Sequence, residues 1–438
     1  MIDTILTILG VLLFLPWIIQ TISTKWQKDI WHRQLLTTAL TFELITMLYI
    51  PSVMYIGLGL IVLSFAIYII RERPKWRATP FLIIAALYVL WYAISLLWSA
   101  APNKGLKFLI DNGIVILGFA SITCAVHLKE EEYTPMLLQF CYAASIFVGL
   151  CLISWGTSLI ELGILPWEWP ILQKTMIGDH YCYSWIFRFL GGIDGYDHPS
   201  YNLLPLFAAM PMAAWLSKRH MLRGRMWIVL WIGGVLLTIL TQSRMGIIYG
   251  GIILFANSIY LLRSRQVQIL ASASLVVIGI LFLVFTADFW KQYSTDHARD
   301  FLQKYSWMYI QKKPWSGAGA GALDPIEICR TVELKYWPGI GRFDPTADVA
   351  EWKPLTHMRP HNQWLADWAH AGVFAALITL AIYIAIAAKC LGRKNYWGGV
   401  FIFIFTIFSL LEPPLYVGKG LYLFCLIGIL AYLTPAKK

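Results

Sequence analysis

Apolar residues run in long blocks from one end of the chain to the other, separated by short polar breaks. Hydrophobic spans fall at about 2–21, 34–50, 51–70, 80–98, 108–127, 135–155, 198–216, 226–243, 245–262, 268–287, 364–388, 398–415 and 420–434. A bilayer crossing needs about 20 apolar residues. Lipid obliges each crossing to satisfy its own backbone hydrogen bonds, so the spans must be helices. The expected fold is therefore all-α: a polytopic integral membrane protein with about twelve, possible thirteen, transmembrane helices. Residues 1–438 form one transmembrane domain, with a first long loop at 156–197 and a larger one at 288–360. The first span lacks a basic leading region and a small-residue cleavage site, so it reads as a span and not as a removable signal. Composition changes the picture little. Of 438 residues, 58% are hydrophobic and 13% charged, against about 25% charged in a soluble domain. That excludes a soluble enzyme, a disordered chain and a fibre.

The net charge of +11 could suggest nucleic acid, but its distribution points to a membrane and to no nucleic acid. Basic residues form five short clusters between spans: Arg71, Arg73, Lys75 and Arg77; Lys218, Arg219, Arg223 and Arg225; Arg263 and Arg265; Lys389, Arg393 and Lys394; Lys437 and Lys438. One acid, Glu72, accompanies these fifteen cations. Placing all five clusters in the cytoplasm is consistent with the spans between them. Loops 99–107, 156–197 and 288–360 then lie outside, and the C-terminus inside. The N-terminal end stays open. Thirteen spans put Met1 outside; twelve put it inside and make 34–70 one crossing with an interfacial prefix. Trp91, Trp98, Trp155, Trp167, Trp169 and Trp290 suit interfacial anchoring. Five cysteines fall in spans or on the inner side, as inert packing groups. Cys182 and Cys329 fall in the two outer loops, where a disulfide tying the loops together and two unrelated thiols are both open readings.

Charges in a membrane cost about 2.5–3.5 kcal/mol on insertion scales, so Glu43, Asp111, Arg244 and Glu412 call for a reason. Arg244 lies between two spans with no basic companion. It fits either an interfacial side chain reaching lipid phosphate or a ligand for an anionic substrate. Arg188 lies among aromatics before the Gly-rich turn that leads through Asp197 and His198 to Pro199. Pro199 suits a first helical position, and Asp197 suits a cap. Loop 288–360 mixes charge with Trp307, Trp315, Tyr336, Trp337 and Trp352, a composition suited to sugar stacking. Its glycine run, Gly317, Gly319 and Gly321, lacks the Lys and Ser/Thr of a phosphate loop, so a flexible turn is expected there.

The loop ends in His357-Met-Arg359-Pro360-His361-Asn362-Gln363. Pro360 makes Arg359 extended, so His357 and His361 do not share a helical face, and no carboxylate or Cys with metal spacing accompanies them. No metal and no cofactor are expected. Histidine suits general-base work near neutral pH.

These motifs, in this order, resemble the O-antigen ligase family, the bacterial superfamily of lipopolysaccharide O-antigen ligases, O-antigen polymerases and protein O-oligosaccharyltransferases. The motifs are Trp98-Ser-Ala-Ala-Pro102, Arg188 before the Gly-rich turn, Ser243-Arg244, Lys313-Pro-Trp-Ser-Gly-Ala-Gly319, Pro360-His-Asn362 and Ser409-Leu-Leu-Glu-Pro-Pro-Leu415. They spread over about 90–420. The resemblance implies a fold similar to membrane glycosyltransferases of the GT-C type, in the bacterial inner membrane, with an active site facing the periplasm. It implies an inverting, metal-independent transfer of a glycan from undecaprenyl diphosphate to a sugar hydroxyl, most simply O-antigen to lipid A–core. Polymerase and oligosaccharyltransferase activities are the alternatives within that chemistry. By the same resemblance Arg188 and Arg244 hold the donor diphosphate and His361 activates the acceptor, supported by Asn362, Arg359, His357, Asp197 and His198. Arg359 stands where the family motif can carry a second His. A transporter or flippase would show two matching halves with a midplane site, and the sequence shows no such repeat. A non-catalytic scaffold would not require Arg244 or the Pro-His-Asn corner.

Overall fold

The structure is a computed structural model. It describes residues 2–49, 51–99, 101–169, 176–177, 180–190, 199–222, 226–241, 243–262, 264, 266–270, 273–274, 303, 306–307, 309–321 and 360–434. Among the described residues the regular structure is helical, apart from one two-residue hairpin pairing β1 (Met176–Ile177) with β2 (His180–Tyr181). The helices are α1 (Thr4–Ser23), α2 (Trp31–Thr46), α3 (Pro51–Glu72), α4 (Pro80–Ser95), α5 (Pro102–Ala125), α6 (Glu130–Leu162), α7 (Pro199–Lys218), α8 (Met226–Thr241) and α9 (Arg244–Leu261). After the large loop come α10 (Gln363–Ala371), α11 (Val373–Gly392), α12 (Tyr396–Leu411) and α13 (Gly418–Leu433). Six segments, Thr4–Ser23, Val53–Glu72, Pro80–Trp98, Pro102–Ala125, Glu130–Leu162 and Val373–Gly392, are long and apolar enough to cross a bilayer.

Two helices form the centre. Residues 199–216 of α7 are buried without a break, and so is α13 from Lys419 to Leu433. A helix apolar on all sides has no preferred outer face and sinks into the middle of the bundle. α6, α8, α9 and α12 pack around α7, while α5, α11 and α12 pack around α13. The outer helices are one-sided. On α4, Phe81, Ala85, Tyr88 and Tyr92 are buried, whereas Ile83, Leu87, Leu90 and Ile94 are exposed. Spacings of three and four put each set on one helical face. The exposed set is the surface that lipid would cover.

The segment 34–70 is a helical hairpin, not a single crossing. α2 and α3 lie antiparallel: His32 Nε2 is 2.9 Å from Glu72 Oε1 at one end, and Gly57 packs on the Glu43 carboxylate nearer the other. Glu43 is fully buried and accepts a 3.0 Å hydrogen bond from Thr46 Oγ1. Any side chain at position 57 would occupy the space of that carboxylate. Asp111, by contrast, lies exposed in a π-helical turn of α5, beside buried Asn112.

The short basic loops gather at one end. Arg33 makes a two-point contact with Glu132, at 2.7 and 2.9 Å, and donates to the His127 carbonyl and to Glu72. Arg219 pairs with Glu130. The opposite end carries the glycine run, which is a packed strap and not a flexible turn. Ala318 N–H and Gly319 N–H donate to the Ala369 and His370 carbonyls, at 2.9 and 2.7 Å. Ser99 Oγ donates to Ala320 O at 2.6 Å. Gly317, Gly319 and Gly321 all have positive φ, and a Cβ on Gly317 would lie 2.7 Å from Ala369 O. The glycines serve close backbone approach. Trp98 donates to Ser316 O, Trp91 to Ala371 O, and buried Trp169 to Leu240 O. Each of these three bonds joins distant parts of the chain, a structural role beyond anchoring.

The strap also breaks the span read at 364–388. Gly372, with φ of 81°, ends α10, and Val373 N–H donates to Pro314 O as α11 begins. A Cβ on Gly372 would collide with the Trp315 carbonyl. Gly372→Ala should therefore lower stability by about 1–3 kcal/mol, from a strained φ plus a displaced strap. Thermal unfolding in detergent checks this, with a lowered midpoint as the expected result. The five inner cysteines, Cys124, Cys141, Cys151, Cys390 and Cys425, are buried free thiols. The side chains of Cys182 and Cys329 lie outside the described residues.

Candidate functional site

At the end of the bundle that holds the strap, four helix termini meet. α7 and α9 start there, α12 ends there, and α10 starts there. Ser243 caps α9 by accepting from Gly246 N–H at 3.1 Å, and its Oγ lies 3.3 Å from Ser200 Oγ in the first turn of α7. This fixes Arg244, the first residue of α9, beside the start of α7. The Arg244 side chain lies outside the described atoms. Phe408, one turn before the end of α12, meets Tyr201 of α7 edge-on at 5.1 Å and Tyr249 of α9 at 5.7 Å. The next turn of α12 brings Glu412 to this corner.

Glu412 is 4% exposed. Its Oε2 lies 2.9 Å from Nδ1 of His361, whose side chain is 30% exposed. A buried carboxylate thus holds an accessible imidazole. Both partners are fixed by their own elements. Asn362 caps α10, accepting from Leu365 N–H at 3.0 Å and donating to Leu410 O at 3.0 Å. Gln303 Nε2 donates to the His361 carbonyl at 3.1 Å. The turn after Glu412 is clamped at Leu415, whose N–H donates to Gln363 Oε1 and whose carbonyl accepts from Asn112 Nδ2.

Beneath this corner lies a closed polar cluster. Asp367 is fully buried and accepts from Tyr92 Oη at 2.7 Å, Tyr416 Oη at 2.9 Å and Gln363 Nε2 at 3.0 Å. A buried carboxylate with such partners ties α4, α10 and the 412–418 turn together. It supports the site without opening onto it. Asp367 escaped the sequence reading although it sits inside a span, where its charge was the signal. Lys419 was also missed. It is 3% exposed in the first turn of α13 and donates to Asn202 Oδ1 of α7 at 2.6 Å.

Arg188 stands apart from the His361 corner in its partners. It is 4% exposed, pairs with Glu161 in the last turn of α6 and stacks over the Trp185 ring at 4.8 Å. The turn that carries it (Cys182–Leu190) packs on α1 and α6, with Ser154 Oγ donating to Trp185 O at 2.7 Å. So Arg188 is not isolated, contrary to its appearance in the sequence. Asp197, His198, His357 and Arg359 lie outside the described residues.

A bundle of apolar helices with a histidine–carboxylate pair at one end has the architecture of a multi-pass membrane protein. Residues 227–380 match the family model described as O-Antigen ligase, a family of membrane glycosyltransferase type. The match bears out the resemblance read from the motifs. It takes in Arg244, His361 and Asn362, and it leaves Arg188 and Glu412 outside. No curated protein matches the chain.

Proposed function

We propose that this protein transfers a glycan from undecaprenyl diphosphate to a sugar hydroxyl, with O-antigen as the glycan and lipid A–core as the acceptor. The observation that carries the reading is the pair of accessible His361 and buried Glu412, 2.9 Å apart. With Nδ1–H donating to Glu412, Nε2 is the unprotonated nitrogen and can accept a proton. It takes the proton of the acceptor hydroxyl as that oxygen attacks the anomeric carbon. The bond from that carbon to the diphosphate breaks, and undecaprenyl diphosphate leaves with the electron pair. Attack opposite the leaving group inverts the anomeric configuration. Arg244 and Arg188 hold the diphosphate and stabilise its growing charge, as paired guanidinium contacts do well. Glu412 selects the tautomer and steadies the imidazolium, as an orienting carboxylate does for a catalytic histidine.

The same proposal sets the site in the periplasm and the basic clusters in the cytoplasm. The antiparallel α2–α3 hairpin supports thirteen crossings, with Met1 outside. Loops 163–197 and 288–360 then face the periplasm as parts of one transmembrane domain, within an inner membrane. α6 runs to Leu162, so the first loop is shorter than the sequence suggests.

A deletion strain tests the branch. Loss of polymer-capped core, with polymer retained on undecaprenyl diphosphate, is the expected result. A ladder lost in favour of a single-repeat band would make the protein a polymerase. Lost glycosylation of proteins with an intact ladder would make it an oligosaccharyltransferase. Glu412→Gln keeps the shape of the pair and removes its charge. Transfer should fall by about 10–100-fold, less than loss of the base itself, when turnover is measured on purified protein.

A further inference from the structure

The end of the bundle opposite His361 holds a concave pocket of about 380 Å³. It is walled by the segment before α4, the end of α5 and the ends of α11 and α13. Its polar lining is Arg77, Thr79, Thr123, His127, Lys389 and Arg393, and no carboxylate lines it. We propose that this pocket binds a phosphate group, with Arg77, Lys389 and Arg393 as the cations that hold it.

Three observations favour an anion there. First, Arg33 at this end has Glu132 and Glu72 as partners, and Arg219 has Glu130. Among the described residues, Arg77, Lys389 and Arg393 make no ion pair. Second, Lys389 in the last turn of α11 and Arg393, the cap residue that follows its end, are four residues apart. Like charges at that spacing repel, and Arg77 converges on the same space. An anion between them removes the cost. Third, Lys389 and Arg393 are not simply solvated topology signals. Lys389 rests over the Tyr432 ring at 4.9 Å. Arg393 gives one N–H to the Thr434 carbonyl, which leaves the rest of its fork for a ligand. Basic pockets between transmembrane helices suit lipid headgroups, and free phosphate offers the same chemistry. This site is independent of the transferase reading.

The full chain in neutral detergent provides the test. Its thermal midpoint is followed by tryptophan fluorescence, with inorganic phosphate against chloride at equal ionic strength, and with phosphatidylglycerol against phosphatidylcholine in mixed micelles. Ligand binding to the folded state raises the midpoint by mass action, so a rise of about several degrees is expected. A rise with phosphatidylglycerol alone assigns the site to a lipid headgroup. A rise with phosphate alone, or with both, assigns it to the phosphate group itself. Arg77 is exposed, so Arg77→Gln should fold as the parent does and lose at least half of the rise. Lys389→Gln should lose it as well; if that variant unfolds early, Arg77→Gln alone decides. Equal rises with chloride or phosphatidylcholine, or an undiminished rise in Arg77→Gln, would overturn the proposal.

Discussion

His361→Ala should abolish detectable glycan transfer while the protein still reaches the membrane and still binds its lipid-linked donor. Losing a general base costs about 10²–10⁴-fold, which takes a slow membrane transferase below the usual assay floor. The fold has little reason to suffer. The side chain is 30% exposed, and the cap of α10 is made by Asn362, not by His361. The variant does leave the Glu412 carboxylate buried without its imidazole, so a modest loss of stability is expected. Purified variant and parent are compared for turnover and for donor binding. Near-parental turnover in His361→Ala would move the base elsewhere, with Asp197 or His357 next in line. His357→Ala should have the milder effect, since Pro360 separates that residue from the corner.

Arg244→Lys should keep the charge and lose most of the activity, because an ammonium cannot make the planar two-point contact of a guanidinium. The position is tightly defined: Ser243 caps α9, and its hydroxyl meets Ser200 at the start of α7. A shorter reach from a fixed backbone cannot be recovered by shifting the helix. Arg188→Lys should lose activity too, with an added penalty. Arg188 is buried against Glu161 and Trp185, and Lys replaces neither the fork nor the stacking surface. A fall in turnover of about 10²-fold or more is expected for each, the scale for removing one preorganised contact to a developing charge. Near-normal turnover in both variants would show that neither Arg holds the leaving group.

The spans were legible because hydropathy responds to the bilayer directly. Their ends were less so. α6 passes Trp155 and Gly156 because Ser158 and Leu159 are still buried, and it stops at Gly163, whose φ of 62° ends the helix. The 34–70 run holds two helices because Gly57 opens a space for Glu43 across a hairpin, a contact between positions fourteen apart that periodicity does not reveal. The glycine run suggested freedom, and the structure uses it for contact, since a missing Cβ serves either end.

At the site, local chemistry marked His361 and Asn362 as polar groups where the large loop meets a helix, and the structure places them at the start of α10. Glu412 stood out as a membrane charge, yet its partner lies 51 positions away. Pairing of that kind is set by how α10 and α12 pack. Glu161 likewise sits 27 positions from Arg188, which is why Arg188 looked alone. Asp367 was visible as one acid in an apolar run, but its three donors come from distant residues as well as a near one, and only the packing brings Tyr92 and Tyr416 to it.

The most direct measurement is the release of undecaprenyl diphosphate by the purified full chain, given a lipid-linked glycan and lipid A–core, with the linkage configuration of the product read by NMR. Release in step with glycan appearing on the core, with inverted configuration and lost in His361→Ala, is the result this account predicts. Retained configuration, or release that continues undiminished in His361→Ala, would contradict it.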